Sequence, residues 1–240
     1  MFGGLSSRPT TPLRCIHEHT NNDSILDSDL DHQQLQCKAL CDDVFSRSGR
    51  TLELDLSSGL RMQRVLCPKA VLEQADSDVL HAAVNTDAAR SHINNVRFHQ
   101  YRNAYLTRVV DGRFVCVDPV DIWMHYSPLL ALPDLVTLGD VLTCRDVRLR
   151  KTTLEDMRKA VSSRGRFTGK PQCLRALSLI REGTDSPQET ATRLTLMRYG
   201  LDRPVVNPRI IIEASVQYLD MAYLPAKVAV EYDGEHHRLQ

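Results

Sequence analysis

The chain has 240 residues, of which 42% are hydrophobic and 25% charged, and its 30 basic side chains balance its 30 acidic ones. This size and composition are typical of a globular protein with one large or two small domains and a substantial core. No window approaches the ~18 consecutive apolar residues of a membrane span, and residues 1–15 lack the pattern of a signal peptide. We therefore expect a cytoplasmic protein with no membrane partner. The odd count of seven cysteines favours reduced thiols over a disulfide framework.

Charge is unevenly distributed along the chain. Residues 1–60 carry five basic and nine acidic side chains, whereas residues 145–175 carry ten basic and three acidic ones. Such a basic segment can form an anion-binding face even in a chain with no net charge. The alternative is a solvated helix face and linker. The candidates for contact with a nucleic-acid backbone are Arg158, Lys159, Arg164, Arg166 and Lys170.

The N-terminal part of the chain gives few structural signals. Residues 1–32 are polar and rich in Ser, Thr, Asn and Asp, which predicts a loop or tail. Apolar residues at three- and four-residue spacings predict a short helix over residues 33–45. Residues 51–67 alternate in the manner of strands, and residues 68–100 support no firm prediction.

Sharper signals begin at Tyr101. The dipeptide Asp111-Gly112 between two apolar runs predicts a β-hairpin with a type I′ turn. Capping boxes are expected at Thr152-x-x-Glu155 and Ser186-x-x-Glu189, each at the start of a helix. The predicted helices cover about 119–130, 133–142, a segment from 152, 171–182 and 186–200, and the predicted strands that follow cover about 205–213, 216–223 and 227–232.

The last two predicted strands place acidic residues together. Folding a hairpin about Pro225 puts Asp220 opposite Ala229 or Val230, so Glu231 becomes a direct or diagonal neighbour of Asp220. Neighbours of this kind lie roughly 5–8 Å apart, close enough for two carboxylates to share one ion. Because side chains alternate along a strand, Asp233 shares the face of Glu231. Oxygen ligands of this type suit Mg²⁺ or Mn²⁺.

Simpler interpretations of these acids stay open. Acids at strand ends are commonly solvated turn residues, and Asp233-Gly234 is itself a turn signal. Glu189 is explained by its capping box without any catalysis.

Five blocks of residues in the C-terminal part resemble a known family when they are taken in order. The blocks are Ser186-Pro187-x-Glu189-Thr190-x-x-Arg193-Leu194, Gly200-Leu201, Pro204-Val205-Val206-Asn207, Leu219-Asp220-Met221-Ala222-Tyr223, and the string VEYDGEHHR from Val230 to Arg238. Together they cover about residues 184–240 and are similar to a bacterial family related to very-short-patch-repair endonucleases. That family belongs to the PD-(D/E)XK, restriction-endonuclease-like superfamily.

The resemblance implies a core of a helix, a three-stranded meander, a helix and a strand. It implies that Asp220 and Glu231 bind the metal, that Glu189 approaches them from the first helix, and that His236 lies at the rim. The lysine that the superfamily normally carries two residues after the acid is Asp233 here, which leaves open the group that assists the attacking water. Lys227 is a candidate, since it is expected on the same strand face as Glu231.

Members of the family continue beyond the HHR string, whereas this sequence stops at Gln240. We expect a fragment that lacks the last helix and strand of the fold; a decayed nuclease is the alternative. The preceding region, with Val109-Val110-Asp111-Gly112 and Leu135-Val136-Thr137-Leu138-Gly139-Asp140, is similar to the abortive-infection type IV antitoxins. Residues 1–50 show no winged-helix pattern, so DNA binding by that route is not expected.

Two weaker motifs are interpreted as structural. Cys37-x-x-x-Cys41 has the spacing of one helical turn, unlike the usual zinc knuckle, so two half-buried thiols on a helix are favoured. The segment from Gly165 to Lys170 differs from a phosphate-binding loop in length and in Pro171, so no nucleotide cofactor is expected.

The sequence therefore predicts an α+β protein. Its expected parts are a polar tail (1–32), a mixed α/β antitoxin-like region (33–145), a basic helical bridge (146–183) and a partial nuclease-like domain (184–240). The expected function is Mg²⁺- or Mn²⁺-dependent hydrolysis of DNA phosphodiester bonds. In it Asp220 and Glu231 act as ligands, and Glu189, Asp233 and His236 support them. The alternative is a non-catalytic, antitoxin-like regulator or DNA-binding module that keeps a nuclease-derived fold.

Overall fold

A computed structural model of the chain describes residues 18–73, 76–86, 92–212 and 215–232, with the backbone alone for residues 18–25 and 212. Over these residues the fold is α+β, as predicted, with eight α-helices, a mixed five-stranded sheet and smaller antiparallel strand pairings. No helix within these ranges is long and apolar enough to cross a membrane. The helices are α1 (Glu18–Ser48), α2 (Leu56–Met62), α3 (Lys69–Glu73), α4 (Pro119–Tyr126), α5 (Leu132–Leu142), α6 (Leu154–Ser163), α7 (Lys170–Leu179) and α8 (Pro187–Arg198). The strands are β1 (Glu53–Leu54), β2 (Leu80–Val84), β3 (Val96–Gln100), β4 (Thr107–Val110), β5 (Phe114–Val117), β6 (Val205–Val206), β7 (Arg209–Ile212), β8 (Ser215–Tyr218), β9 (Met221–Tyr223) and β10 (Val228–Val230).

The five-stranded sheet has the strand order β3-β2-β1-β5-β4. Strand β1 lies at its centre, antiparallel to β2 and parallel to β5. The predicted hairpin is confirmed as β4 and β5, with Val110 paired to Phe114. Asp111 and Gly112 both have positive φ, 49° and 71°, which a type I′ turn requires.

Helix α1 begins at Glu18, well inside the segment that was predicted to be a polar tail, so that prediction is wrong for residues 18–32. Its buried residues Leu30, Cys37 and Val44 recur every seven positions, which places them on one side of the helix. Cys37 and Val44 pack in a cluster with apolar side chains of β1, β2 and β5. A single buried stripe in an otherwise polar helix gives a weak apolar signal, so the sequence pattern predicted a helix only over residues 33–45.

The prediction of strands over residues 51–67 is correct only for β1. Residues 56–62 form helix α2, which is buried along its whole length. Because its polar residues Ser57, Ser58 and Arg61 are buried together with its apolar ones, polar and apolar residues do not separate onto two faces, and the sequence shows no amphipathic period. Gly59 permits the tight packing, because a Cβ atom there would lie 2.6 Å from Ile122 Cδ1 and 2.9 Å from the Leu54 carbonyl oxygen.

The main core surrounds Trp123 on α4, whose indole N–H donates to the Leu135 carbonyl at 2.9 Å. Helices α5, α6 and α7 complete this core with buried side chains such as Leu138, Met157 and Ala176. Helix α5 approaches α7 closely at Gly139, where a Cβ atom would lie 2.3 Å from Ile180 Cδ1. The core therefore joins the central sheet to the helical segment that follows it.

Local start and stop signals predicted the later helices to within a few residues. The capping box of α6 is shifted by one position, because Thr153, and not Thr152, accepts from the backbone N–H of Asp156. The box of α8 is confirmed, since the Ser186 hydroxyl accepts from the backbone N–H of Glu189 at 3.2 Å. Gly200, with φ of 87°, follows the end of α8 as predicted.

The three predicted C-terminal strands are shorter and more broken than expected. Strand pairs β6–β9 and β7–β8 share one antiparallel register, so they form a long hairpin with an irregular step in the middle. At the step Asn207 has φ of 44°, and its N–H still donates to the Asp220 carbonyl at 3.0 Å. Strand β10 pairs with the other edge of β9, which gives the sheet order β10-β9-β6. A helix followed by a small antiparallel meander is therefore present in the described residues.

Helix α8 is fixed to α5 by a buried polar network around Asp140. The Asp140 carboxylate accepts from Arg193 Nη2 at 2.5 Å, from Thr190 Oγ1 at 2.8 Å and from the Arg181 backbone N–H at 2.8 Å. Arg193 and Asp140 side chains are 2% and 0% exposed, and Arg193 also donates to the Leu179 carbonyl at 2.9 Å. Thr190 and Arg193, two residues of the first sequence block, therefore hold α8 in place.

Candidate functional site

Asp220 and Glu231 face each other across the last hairpin. The register pairs Tyr223 with Val228, Ala222 with Ala229, and Met221 with Val230. Continued by one residue, it sets Asp220 directly opposite Glu231. The prediction that Asp220 lies opposite Ala229 or Val230 is therefore wrong. The connection is a 3₁₀ turn over Leu224–Ala226 followed by Lys227, which is longer than the predicted turn centred on Pro225.

The two carboxylates are held by the backbone of the opposite strand. The N–H of Tyr232 donates to Asp220 Oδ2 at 2.7 Å, and the N–H of Asp220 donates to Glu231 Oε2 at 3.4 Å. Burial and the charge of Asp220 raise the pKa of Glu231 above its usual range. A cation bound between the two carboxylates would relieve this repulsion.

Glu189 lies at the N-terminus of α8 and is only 6% exposed. Its Oε1 accepts from the Ser186 hydroxyl at 3.0 Å and its Oε2 accepts from the Asp185 backbone N–H at 3.1 Å. Burial raises the pKa of Glu189 to about 7, and the charge of Asp220 contributes in the same direction. Glu189 therefore caps the helix, and it also lies within electrostatic range of Asp220.

The donor set fits a hard cation that keeps part of its water shell. Mg²⁺ commonly binds through one or two protein carboxylates, with water and phosphate oxygens completing its octahedron. Asp220 and Glu231 supply two such carboxylates. Among the residues that the structure describes, no group of three or more His, Cys, Asp or Glu is arranged to hold a metal ion. Asp233 and His236 lie outside the described residues.

Two of the five side chains that were predicted to contact a nucleic-acid backbone form contacts within the protein instead. Arg164 forms an ion pair of 2.8 Å with the buried Asp121. The Lys170 ammonium donates to the Arg164 carbonyl and, with 3.1 Å between Nζ and the oxygen, to the Gly165 carbonyl. These two side chains therefore stabilise the loop between α6 and α7. The other three side chains are exposed: Arg158, Lys159 and Arg166.

Lys227 does not take the position expected for it. It lies before β10 in a left-handed conformation with φ of 54°, so it does not share the strand face of Glu231. Its side chain is exposed.

A second group of interacting side chains, which no sequence pattern predicted, surrounds His125 of α4. The Asp55 carboxylate, which is fully buried, lies with both oxygens 3.1 Å from His125 Nδ1. The ring of Tyr101 stacks on the imidazole with 3.4 Å between ring centroids and 7° between planes. These residues are far apart in the sequence and follow no known motif spacing, so no sequence signal could have joined them.

Comparison with known proteins adds no family to this description. No protein-family model, no curated protein and no solved structure matches the chain. The fold and the site thus define an α+β protein in which Asp220 and Glu231 face each other across a hairpin and the helix-capping Glu189 interacts electrostatically with Asp220.

Proposed function

We propose that this chain is a Mg²⁺- or Mn²⁺-dependent, endonuclease-like protein that hydrolyses phosphodiester bonds in DNA. The observation that supports this most is the register of the last hairpin, which sets Asp220 opposite Glu231. In the proposal, residues 184–240 form a restriction-endonuclease-like unit, and α8 followed by the meander is the part of it that the described residues contain.

Each acid has a distinct role in this proposal. Asp220 and Glu231 would hold the ion, and the Tyr232 N–H that donates to Asp220 Oδ2 orients one of the two carboxylates. When bound, the ion supplies charge stabilisation at the phosphate and lowers the pKa of a bound water. Asp233 and His236 are proposed as supporting groups on the basis of the sequence alone.

Glu189 is suited to hold or move a proton beside that pair. With a pKa of about 7 it exists in both protonation states near neutral pH, which is the condition for general acid–base work. Its two hydrogen bonds, from Ser186 and Asp185, fix the direction of the carboxyl group. The hydrogen bonds that cap the helix therefore also position the Glu189 carboxyl group.

DNA is the proposed partner, and exposed cations of the basic segment are proposed to contact its backbone. Arg158 and Lys159 lie on α6 and Arg166 lies in the loop after it, all exposed to solvent. Lys159 also lies 3.7 Å from Glu155 and 3.8 Å from Asp156, so these acids reduce its contribution. Neutralising each contacted phosphate makes the affinity salt-dependent.

The proposal is tested with the 240-residue chain, supercoiled plasmid and either Mg²⁺ or Mn²⁺. We expect metal-dependent nicking that is lost in Asp220→Asn and Glu231→Gln, while Asp202→Asn, a change at an exposed acid outside the site, keeps it. Circular dichroism and thermal unfolding establish that each variant is folded. Nicking that persists in both site variants would contradict the proposal. DNA binding that needs neither carboxylate nor metal would support the non-catalytic regulator instead.

A further inference from the structure

A cavity of about 450 Å³ is lined by residues other than Asp220, Glu231 and Glu189. The cavity opens between the β3–β4 connection, helix α4 and the loop that joins α6 to α7. Its volume falls within the range of small-molecule sites. The side chains that give it its chemical character are Tyr101, Arg102, His125, Arg164, Arg166 and Phe167.

The imidazole of His125 is fixed in one orientation at the wall of this cavity. Asp55, which is fully buried, binds Nδ1 from behind, and Tyr101 covers one ring face. Tyr105 packs edge-on against the same ring at 5.7 Å. Since Asp55 accepts the proton on Nδ1, Nε2 is the nitrogen left for a ligand, and among the described residues it has no hydrogen-bond partner. The His125 side chain is still 11% exposed.

The charge around the cavity is positive. Among the residues that the structure describes, three arginines and one acid line it, and this acid, Asp121, is already neutralised by Arg164 through both carboxylate oxygens at 2.8 and 2.9 Å. Arg102 and Arg166 are exposed at the wall and form no ion pair within the described part of the chain. Two guanidinium groups that are not neutralised, beside a fixed imidazole, match the oxygens of a phosphate group.

We propose that this cavity binds a small phosphate-bearing ligand. Arg102 and Arg166 contact the phosphate oxygens, Nε2 of His125 hydrogen-bonds to the same group, and Tyr101 and Phe167 supply an aromatic wall for an organic substituent. The inference does not depend on the nuclease proposal. Because Arg166 is also a candidate contact to DNA, the test relies on Arg102 and His125.

The test measures binding of three probes to the full chain by calorimetry: inorganic phosphate, adenosine 5′-monophosphate and adenosine. We expect a phosphate-bearing probe to bind, and Arg102→Gln to weaken that binding about tenfold or more, because a charge-assisted contact is lost. His125→Gln should weaken it as well. Arg198→Gln, at an exposed arginine on α8, is the matched control and should not change the affinity.

Arg102 is exposed, so its variant is expected to fold even if the change at His125 disturbs the buried Asp55. Tighter binding of the monophosphate than of inorganic phosphate would assign an organic substituent to the aromatic wall, and equal binding would assign free phosphate. Either result supports an anion site. The inference is overturned if no phosphate probe binds, if adenosine binds as well as its monophosphate, or if Arg102→Gln leaves the affinity unchanged.

Discussion

At the scale of single residues, Glu189 combines a structural and a chemical role. Its capping contact with Ser186 was predictable from the four consecutive residues 186–189. Its elevated pKa was not, because burial and the nearby charge of Asp220 depend on the packing of α8 against the rest of the chain. Local hydrogen bonds can be predicted from the sequence, whereas desolvation requires the three-dimensional structure.

The pKa of Glu189 gives folding stability a definite dependence on pH. The carboxyl has a pKa of about 7 when folded, above its ordinary 4.5, so the folded state binds more protons between these values. The contribution to stability is complete below pH ~4.5 and is lost as pH rises through about 7, a change of up to about 3 kcal/mol. We expect Glu189→Gln to remove this contribution, so that the unfolding free energy of the wild type minus that of this variant, measured in urea, falls as pH rises from 4.5 to 8.

A difference between the wild type and Glu189→Gln that does not change with pH would contradict this assignment. The exposed acid Asp202 offers the control, since Asp202→Asn should keep the wild-type profile.

At the scale of elements, the helices of the second half followed their local signals, and α1, α2 and the last hairpin did not. Caps and glycines act within a few residues, so α8 was predicted from its first to its last turn. Helix α2 is wholly buried and has no amphipathic period to detect. The hairpin register depends on the length of a turn that no motif specifies, and this is why the partner of Asp220 was misplaced.

Helix α8 depends on the ion pair between Arg193 and Asp140. Replacing one member leaves the other charged, buried and without its partner, which costs about 3–5 kcal/mol. We therefore expect Arg193→Leu to lower the free energy of unfolding by that amount. Arg198→Leu, five residues further along at the exposed end of the same helix, should change it by less than ~0.5 kcal/mol. Equal effects of the two changes in chemical denaturation would contradict this role of the network.

The contact between α5 and α7 requires a glycine at position 139. A methyl group there would meet Ile180 and Trp123, so Gly139→Ala is expected to destabilise the protein by about 1–3 kcal/mol through overpacking. Gly165→Ala is the matched control, because a Cβ atom at that position meets nothing within 4 Å. The measurement is the thermal midpoint of both variants. A lower midpoint only for Gly165→Ala would contradict the packing described for α5.

At the scale of the whole molecule, buried titratable groups in different parts of the fold act in opposite directions. His81 of β2 is buried against His99, with 2.8 Å between ring nitrogens, and burial lowers the pKa of His81 to about 4, with the charges of His99 and Arg97 adding to the effect. The unfolded chain then binds more protons than the folded one between pH ~4 and ~6.5. The contribution of His81 to the free energy of unfolding is complete above pH ~6.5. It is lost as pH falls towards ~4, a change of up to about 3 kcal/mol.

The contributions of His81 and Glu189 therefore nearly cancel in mildly acidic solution. We expect His81→Gln to expose the Glu189 effect, so that this variant gains stability as pH falls from 7 to 4.5. In contrast, Glu189→Gln should lose stability over the same range. The two pH profiles of unfolding free energy provide the check, and profiles with the same slope would contradict the assignment.

Direct calorimetric titration of Mn²⁺ into the 240-residue chain tests whether Asp220 and Glu231 bind a cation, before any assay of cleavage. The prediction is saturable binding of the ion in the wild-type chain and in Asp202→Asn, and loss of that binding in a folded Asp220→Asn variant. Undiminished binding in Asp220→Asn, or no binding in the wild-type chain, would contradict it.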